Sequence, residues 1–532
     1  MPKCSYQHQH KWGALGYQIQ KVSVCDWLRS RGSSHSINRL SIWFEWNLRG
    51  LGQVVFVNNP VSGLLILLAL WIQSPWMGLM SMLGVMSSTF AAVALNLDRK
   101  SISQGIYGYN GVLVGVAIAA LGLPGNGVEK FTQAMAIVFF AILTTIWLWA
   151  SESWWSRNFR CPPLTLPFNL VIWLFLFWAK FVPEFAFGQQ IETINQGIFL
   201  DVDSLTIAVF IGFGQIFLAD KLLSGILVFL AIAYDTRIGA AIGLTGSIIG
   251  LLTGLILGAK PEDLYMGLWG YNSILTAIAI GGIFYVPNLR SYFVAGIAAC
   301  FTAIMAQITA VLLGIWGLPS LTLPFCISTI LVLIVFPRLS VAIPVSLQAI
   351  GSPEQNRQRH LAAKEAIAHF VFQLERLMLG KYSYYWLSTA DTKIRANLYY
   401  VLKGIDLCEF GRVSRREIEL YLHQTGQGAN SENMAYLAGF IDLDRLASFN
   451  YGQFVEFVLR HEYLTANYHS LIEYLLPLDR CEHDLICFLE INWAITGMGF
   501  TPLTTMQYQL LLQKTNCNNW TWSQFIKVLL TA

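Results

Sequence analysis

The sequence predicts an all-α protein. Its larger part reads as a polytopic membrane domain of two inverted repeats, each with five transmembrane helices and re-entrant half-helices, and a smaller α-helical domain follows. Three observations carry that expectation. The chain of 532 residues is apolar but unevenly so, with 34 charged side chains in the last 182 positions against 31 in the first 350. Ten apolar stretches fall before position 343, five in each half of that region. The two sets share motifs in the same order. Gly-Ile-Tyr-Gly-Tyr-Asn (105–110) returns as Gly-Leu-Trp-Gly-Tyr-Asn (267–272), 162 residues later. Leu-Gly-Gln-Val-Val-Phe (51–56) is answered by Phe-Gly-Gln-Ile-Phe-Leu (213–218), and Leu-Thr-Leu-Pro-Phe (164–168) by its copy at 321–325. Order and spacing kept at so many points mark a duplication.

Residues 1–40 read as an N-terminal arm. The first 49 residues hold seven Lys or Arg against Asp26 and Glu45 and lack an apolar core, so no cleavable signal is expected. The positive excess before the first span places this end in the cytoplasm. Repeat 1 occupies 41–200, with apolar stretches near 61–74, 76–96, 107–122, 131–150 and 165–183. Repeat 2 occupies 201–345, with stretches near 223–234, 239–258, 269–286, 292–314 and 322–342. Several fall short of the ~20 residues of a complete crossing. Five is odd, so the second repeat enters the bilayer in the opposite sense, about a pseudo-two-fold axis in the membrane plane. Ten crossings bring the C-terminus back to the cytoplasm. The Gln-containing segments ahead of each first stretch are too short to cross and read as re-entrant half-helices. Pro167 and Pro324 read as interruptions at the start of each fifth stretch. Irregular backbone at membrane depth is tolerated only where protein buries it or where it lines a wet cavity. These four segments are therefore expected to meet near the midplane.

Composition excludes several functions. The net charge of +3 is scattered, so nucleic acid is not an expected partner. The nine cysteines are dispersed, with no C-x-x-C pair, which argues against a disulfide framework or a zinc site. No nucleophile–base set or metal cluster points to an enzyme, and no cofactor is implied.

The apolar stretches contain almost no ionisable side chain, whereas ion-coupled carriers commonly place Asp, Glu or His inside the membrane. The polar candidates at the midplane are Gln53, Gln215, Thr165, Thr322, Asn110 and Asn272. Neutral donors and acceptors suit a small, neutral, polar solute better than an ion. The plainer alternative is helix-to-helix hydrogen bonding. Recurrence in both copies favours solute contact for the Gln and Thr pairs. For Asn110 and Asn272 packing leads, because the flanking Gly-x-x-Gly-Tyr suggests a tight helical start. Phe56, Leu113 and Leu275 become wall candidates only through their spacing from the motifs.

The stretch Leu-Arg-Gly-Leu-Gly-Gln-Val-Val-Phe-Val-Asn-Asn-Pro-Val-Ser-Gly (48–63) resembles the opening motif of the urea transporter family. So do Gly-Tyr-Asn-Gly-Val-Leu-Val-Gly (108–115), Leu-Thr-Leu-Pro-Phe-Asn (164–169), Gly-Leu-Trp-Gly-Tyr-Asn (267–272) and Leu-Pro-Ser-Leu-Thr-Leu-Pro-Phe-Cys (318–326). The resemblance runs in order over about 41–342. It implies homotrimers with one pore per protomer and downhill, channel-like passage of urea, in a plasma membrane or bacterial inner membrane. By motif position it implies Gln53 and Gln215 near the two filter mouths and Thr165 and Thr322 at the middle. Phe56 with Leu113, and Leu218 with Leu275, would form the apolar walls, one end less aromatic because Leu218 stands where the first copy has Phe. Two other readings stay open: a channel for ammonia, water or short amides, and a urea sensor.

A linker helix is expected over 346–384 and a helical domain over 385–532. Residues 405–417 have the outline of an EF-hand loop, with Asp406 at position 1, Gly411 at 6, Val413 at 8 and Glu417 at 12. Positions 3 and 5 are Cys408 and Phe410, which supply no hard oxygen ligand. A second loop starts at Asp442, with Asp444 at position 3, Phe449 at 8, Ala447 for the turn glycine and Gln453 for the last ligand. Worn third and fourth units are read at 496–500 and 518–525. The series resembles calmodulin-type EF-hands that have lost their ion. Calcium is not expected, Asp442 and Asp444 being the best remaining ligands, and a cytoplasmic protein partner is.

Overall fold

The structure is a computed structural model that describes residues 35–122, 127–159, 161–180, 201–335, 342–345, 350–361 and 364, with short runs and single positions beyond. The described residues divide into two compact units between Arg357 and Gln358.

Among the described residues up to Val335 the first unit carries seven helices and then seven more in the same order. The first set is α1 (His35–Gln53), α2 (Pro60–Gln73), α3 (Pro75–Ala94), α4 (Arg99–Ser103), α5 (Tyr109–Leu121), α6 (Gly127–Phe159) and α7 (Leu166–Ala179). The second is α8 (Val202–Gln215), α9 (Leu222–Asp235), α10 (Arg237–Ile256), α11 (Pro261–Tyr265), α12 (Tyr271–Ile278), α13 (Leu289–Gly314) and α14 (Leu323–Val335). Unlike its counterpart α5, α12 continues as a π-turn over Ala279–Ile283.

Among the described residues four stretches are long and apolar enough to cross a membrane: α3, the Val128–Glu152 part of α6, α10 and α13. The shorter apolar helices have 13 or 14 residues, as in α2, α5 and α7. At 1.5 Å per residue such a helix is about 20 Å long, short of the ~30 Å hydrocarbon layer. Leu64, Leu68, Phe90, Phe139, Leu230 and Phe293 are exposed, as lipid contact requires.

Helices α2 and α9 pack together and are antiparallel. Asn59, the N-cap of α2, donates to Asp235 at the end of α9 (3.2 Å). Lys221, the N-cap of α9, donates from its backbone to Gln73 at the end of α2 (3.1 Å). Each contact is the other with the halves exchanged, the pattern of a two-fold relation. Ser224 also donates to Ala69 O across the pair (2.8 Å). Close approach of α2 to α1 and of α9 to α8 depends on glycine. A Cβ on Gly63 would lie 1.9 Å from Leu48 O, and one on Gly225 2.1 Å from Phe210 O.

Two details differ from the sequence reading. Pro167 and Pro324 lie in the first turns of α7 and α14 and so open these helices rather than interrupt them. An N–H is unpaired there in any case, so proline costs nothing. The Gln-containing segments are the C-terminal ends of α1, longer than expected at 19 residues with Glu45 and Arg49 paired at 2.6 Å, and of α8, which at 14 residues is too short to cross.

Beyond α14 the chain returns to the second half. Val286 N donates to Ile343 O and Val345 N to Phe284 O, each at 2.9 Å. A further helical run starts at Pro353, behind a Ser352–Gln355 capping pair. In its first turn Asn356 donates to Gly282 O (2.9 Å) and Ile283 O (3.2 Å), carbonyls of the π-turn. Glu354 accepts from Ile238 N at the start of α10 (2.9 Å).

In the second unit the described residues include four short strands, which the all-α expectation omitted. β1 (Arg412–Ser414) pairs antiparallel with β2 (Ser448–Asn450), and Val413 lies directly opposite Phe449. β3 (Leu485–Ile486) pairs with β4 (Trp520–Thr521). β3 precedes the Thr-Gly-Met-Gly-Phe stretch, which lies outside the described residues, as do Asp406, Glu417, Asp442 and Asp444.

Candidate functional site

The two halves meet at the tips of α7 and α14. Thr165 is the N-cap of α7, and Thr322 immediately precedes α14. Their hydroxyl oxygens are 2.7 Å apart and both residues are buried. Two helix N-termini therefore converge on one point, each carrying about half a positive charge. Around them a polar cluster closes. Thr165 Oγ1 lies 3.1 Å from Cys326 Sγ, and Asn169 Nδ2 donates to Thr322 Oγ1 at 3.0 Å. Asn169 and Cys326 occupy the same place in their helices, four residues past each Thr. These contacts too repeat with the halves exchanged.

The approach to each Thr is anchored alike. Tyr109 OH donates to Leu164 O and Tyr271 OH to Leu321 O, both at 2.7 Å. Leu164 and Leu321, just before the threonines, adopt left-handed backbone with φ 53° and 47°. Asn272 Nδ2 also donates to Leu321 O (3.1 Å), and Asn110 is as deeply buried. Both Gly-Tyr-Asn motifs do begin helices, with Gly108 and Gly270 as N-caps. Gly105 and Gly267 take φ of 76° and 70°, conformations that favour glycine.

Gln53 and Gln215 end α1 and α8. Gln53 Nε2 donates to Gln104 O (2.8 Å) and Gln215 Nε2 to Met266 O (2.9 Å), the residues just ahead of the twin motifs. Among the described residues nothing donates to either Oε1. Each helix then closes with a Schellman turn. Val57 N donates to Gly52 O and Phe56 N to Gln53 O; Ala219 N and Leu218 N repeat this on Gly214 O and Gln215 O. The left-handed position of such a turn normally holds glycine. Here it holds Phe56 (φ 63°) and Leu218 (φ 53°). Five non-glycine residues among those described have positive φ, and four of them are Phe56, Leu218, Leu164 and Leu321. Strain of this kind gathers where a side chain must be aimed.

Phe56 reaches across to the second half, meeting Phe284 edge-on at 6.2 Å and Phe325 at 6.1 Å between ring centres. Leu113 and Leu275 are almost fully buried in the apolar core against which Phe56 and Leu218 pack. The structure thus brings Thr165 and Thr322 into contact. It sets the Gln and Phe/Leu pairs at matching places in the two halves. The sequence reading did not find Asn169, Cys326, Tyr109, Tyr271, Leu164 or Leu321; the Gly-Tyr-Asn repeat was the available signal for the tyrosines. Among the described residues no group of three metal-ligating side chains occurs.

A family model described as urea transporter matches residues 44–336, more than half of the chain. Urea transporter 1 of Capra hircus is 31% identical over 358 residues, covering 65% of this chain and 89% of that protein. The chain belongs to the urea transporter family. Urea transporter 1 of Mus musculus is 31% identical over 336 residues, covering 61% of this chain and 85% of that one. The urea transporter match contains all eight pore candidates, from Gln53 to Thr322. With this family membership and its long apolar helices, the chain is a multi-pass membrane protein.

Proposed function

We propose that this protein is a urea channel, giving facilitated, downhill passage through a filter between its two halves. The observation that carries the reading is the Thr165–Thr322 hydroxyl pair at two converging helix N-termini. Urea is planar, with four N–H donors and one strong acceptor. Removing its water costs several kcal/mol, on the order of 2–7 per unpaired polar group, unless the pore replaces the partners. The oxygens of Gln53, Gln215 and the threonines supply acceptors along the edge. The converging helix ends favour the carbonyl oxygen and oppose cations. Phe56 with Leu113, and Leu218 with Leu275, flank the planar faces. The family membership agrees, and no chemical step is required of the protein.

The decisive measurement is urea flux in proteoliposomes. Saturable permeability above that of empty vesicles is expected, and its absence overturns the reading. Larger relative permeability to ammonia, water or short amides would favour the wider channel reading; ligand binding without flux would favour a sensor.

The finer organisation belongs to the same proposal. The halves are inverted repeats with ten crossings, supported by antiparallel α2 and α9, and both ends face the cytoplasm. The channel is a homotrimer in the plasma membrane, a state that cross-linking in native membranes would test. The C-terminal unit is an EF-hand-like module that binds a protein rather than calcium. Its support is the pairing of Val413 with Phe449, each at the eighth place of its loop.

A further inference from the structure

Asn169 is wholly buried and joins the two halves at the threonine pair. Its Nδ2 lies 2.9 Å from Thr165 O and 3.0 Å from Thr322 Oγ1, while its Oδ1 accepts from Thr322 N at 3.1 Å. A backbone carbonyl can only accept and a backbone N–H can only donate, so these partners fix which end of the amide is which. Both Nδ2 hydrogens are then committed. Thr322 Oγ1 receives one of them, and its own hydrogen has two possible destinations. Thr165 Oγ1 is 2.7 Å away, against 3.4 Å for Asn169 Oδ1, which already accepts from Thr322 N. The 2.7 Å contact is made whichever threonine donates, but Asn169 Oδ1 at 3.4 Å lies beyond ordinary O–H···O reach, so Thr322 gives its hydrogen to Thr165. Thr165 Oγ1 is thereby an acceptor whose own hydrogen remains to be given. Its neighbour for that hydrogen is Cys326 Sγ at 3.1 Å, a weak acceptor.

We propose that Asn169 is a positioning residue that sets the polarity of the threonine pair, so that Thr165 offers its hydroxyl hydrogen to the carbonyl oxygen of the passing solute. The inference rests on the urea-channel reading. Polarity runs one way because the place of Asn169 in the second half is taken by Cys326, which cannot direct a hydroxyl as an amide does. Two threonines that look equivalent in the sequence are therefore unequal in use.

The test compares urea with thiourea, a molecule of nearly the same planar shape whose sulfur accepts hydrogen bonds weakly. Permeability to both is measured in proteoliposomes for the wild type, Thr165→Val, Thr322→Val and Asn169→Cys, each monodisperse in detergent. Thr165→Val is expected to lower the urea:thiourea ratio by about tenfold, one hydrogen bond to the solute's acceptor. Thr322→Val should leave the ratio within about twofold, because Thr165 keeps its hydrogen. Asn169→Cys should lower the ratio. The double swap Asn169→Cys with Cys326→Asn should restore it and make Thr322, not Thr165, the sensitive position. Equal effects of the two valine variants would overturn the proposal, as would variants that slow both solutes in proportion, the mark of a packing role alone. Should Asn169→Cys fail to fold, the two valine variants still decide. A wild type that passes no urea defeats the channel reading; one that passes urea without splitting the threonines defeats only this inference.

Discussion

Phe56 stands at φ 63° where a helix normally closes on glycine. For an L side chain this conformation costs about 1–2 kcal/mol, and two ring contacts, worth about 0.5–1.5 kcal/mol each, offset it. Phe56→Ala keeps the strain and loses the rings, while Phe56→Gly loses both. Glycine should therefore be the milder change, by about 1 kcal/mol in thermal unfolding, the reverse of the usual helical order. Both should weaken urea selectivity. Legibility at this scale follows recurrence. The Gln and Thr pairs could be read because the chain states them twice in order. Asn169 could not, because its twin is Cys326, and a pair that differs gives no repeat to notice. Nor could Leu164 and Leu321, since leucine carries no cue for left-handed backbone.

At the scale of elements, apolar runs located the helices well, because burial against protein or lipid selects the same side chains. What they misjudged was the meaning of proline and the extent of α1. Pro167 and Pro324 were visible, but a proline before an apolar run can open a helix or break one, and only the first-turn position distinguishes them. Charged residues in α1 hide its length, since an apolar run stops at each of them. Glycine at helix contacts yields a matched pair of predictions. Gly63→Ala and Gly225→Ala force a Cβ into backbone at 1.9 Å and 2.1 Å. Each should lower stability by about 1–3 kcal/mol, read as a lower melting temperature in detergent. Gly314→Ala, with nothing within 4 Å of the added carbon, should be neutral or gain up to about 1 kcal/mol.

Across the whole first unit, contacts come in exchanged pairs: Asn59 with Asp235 and Lys221 with Gln73, then Asn169 with Thr322 and Cys326 with Thr165. The duplication was plain in the sequence, but such reciprocity needs three dimensions, because it depends on which end of one helix meets which end of its twin. The likeness stops at the π-turn. Asn356 takes its carbonyls, and Asn356→Ala in the full chain should cost about 1–3 kcal/mol by leaving buried acceptors unpaired. A fall in melting temperature would register that loss, and no change would refute it. The first half has no such latch among the described residues. Phe284, one residue past the π-turn, meets the ring of Phe56. The helix that begins at Pro353 is thereby tied, through the π-turn, to the neighbour of a residue that bridges the two halves. The same latch decides where the protein can be trimmed. A cut before Ser352 removes the Glu354 and Asn356 contacts along with everything beyond them, so a trimmed chain that keeps the fastening must run past Asn356.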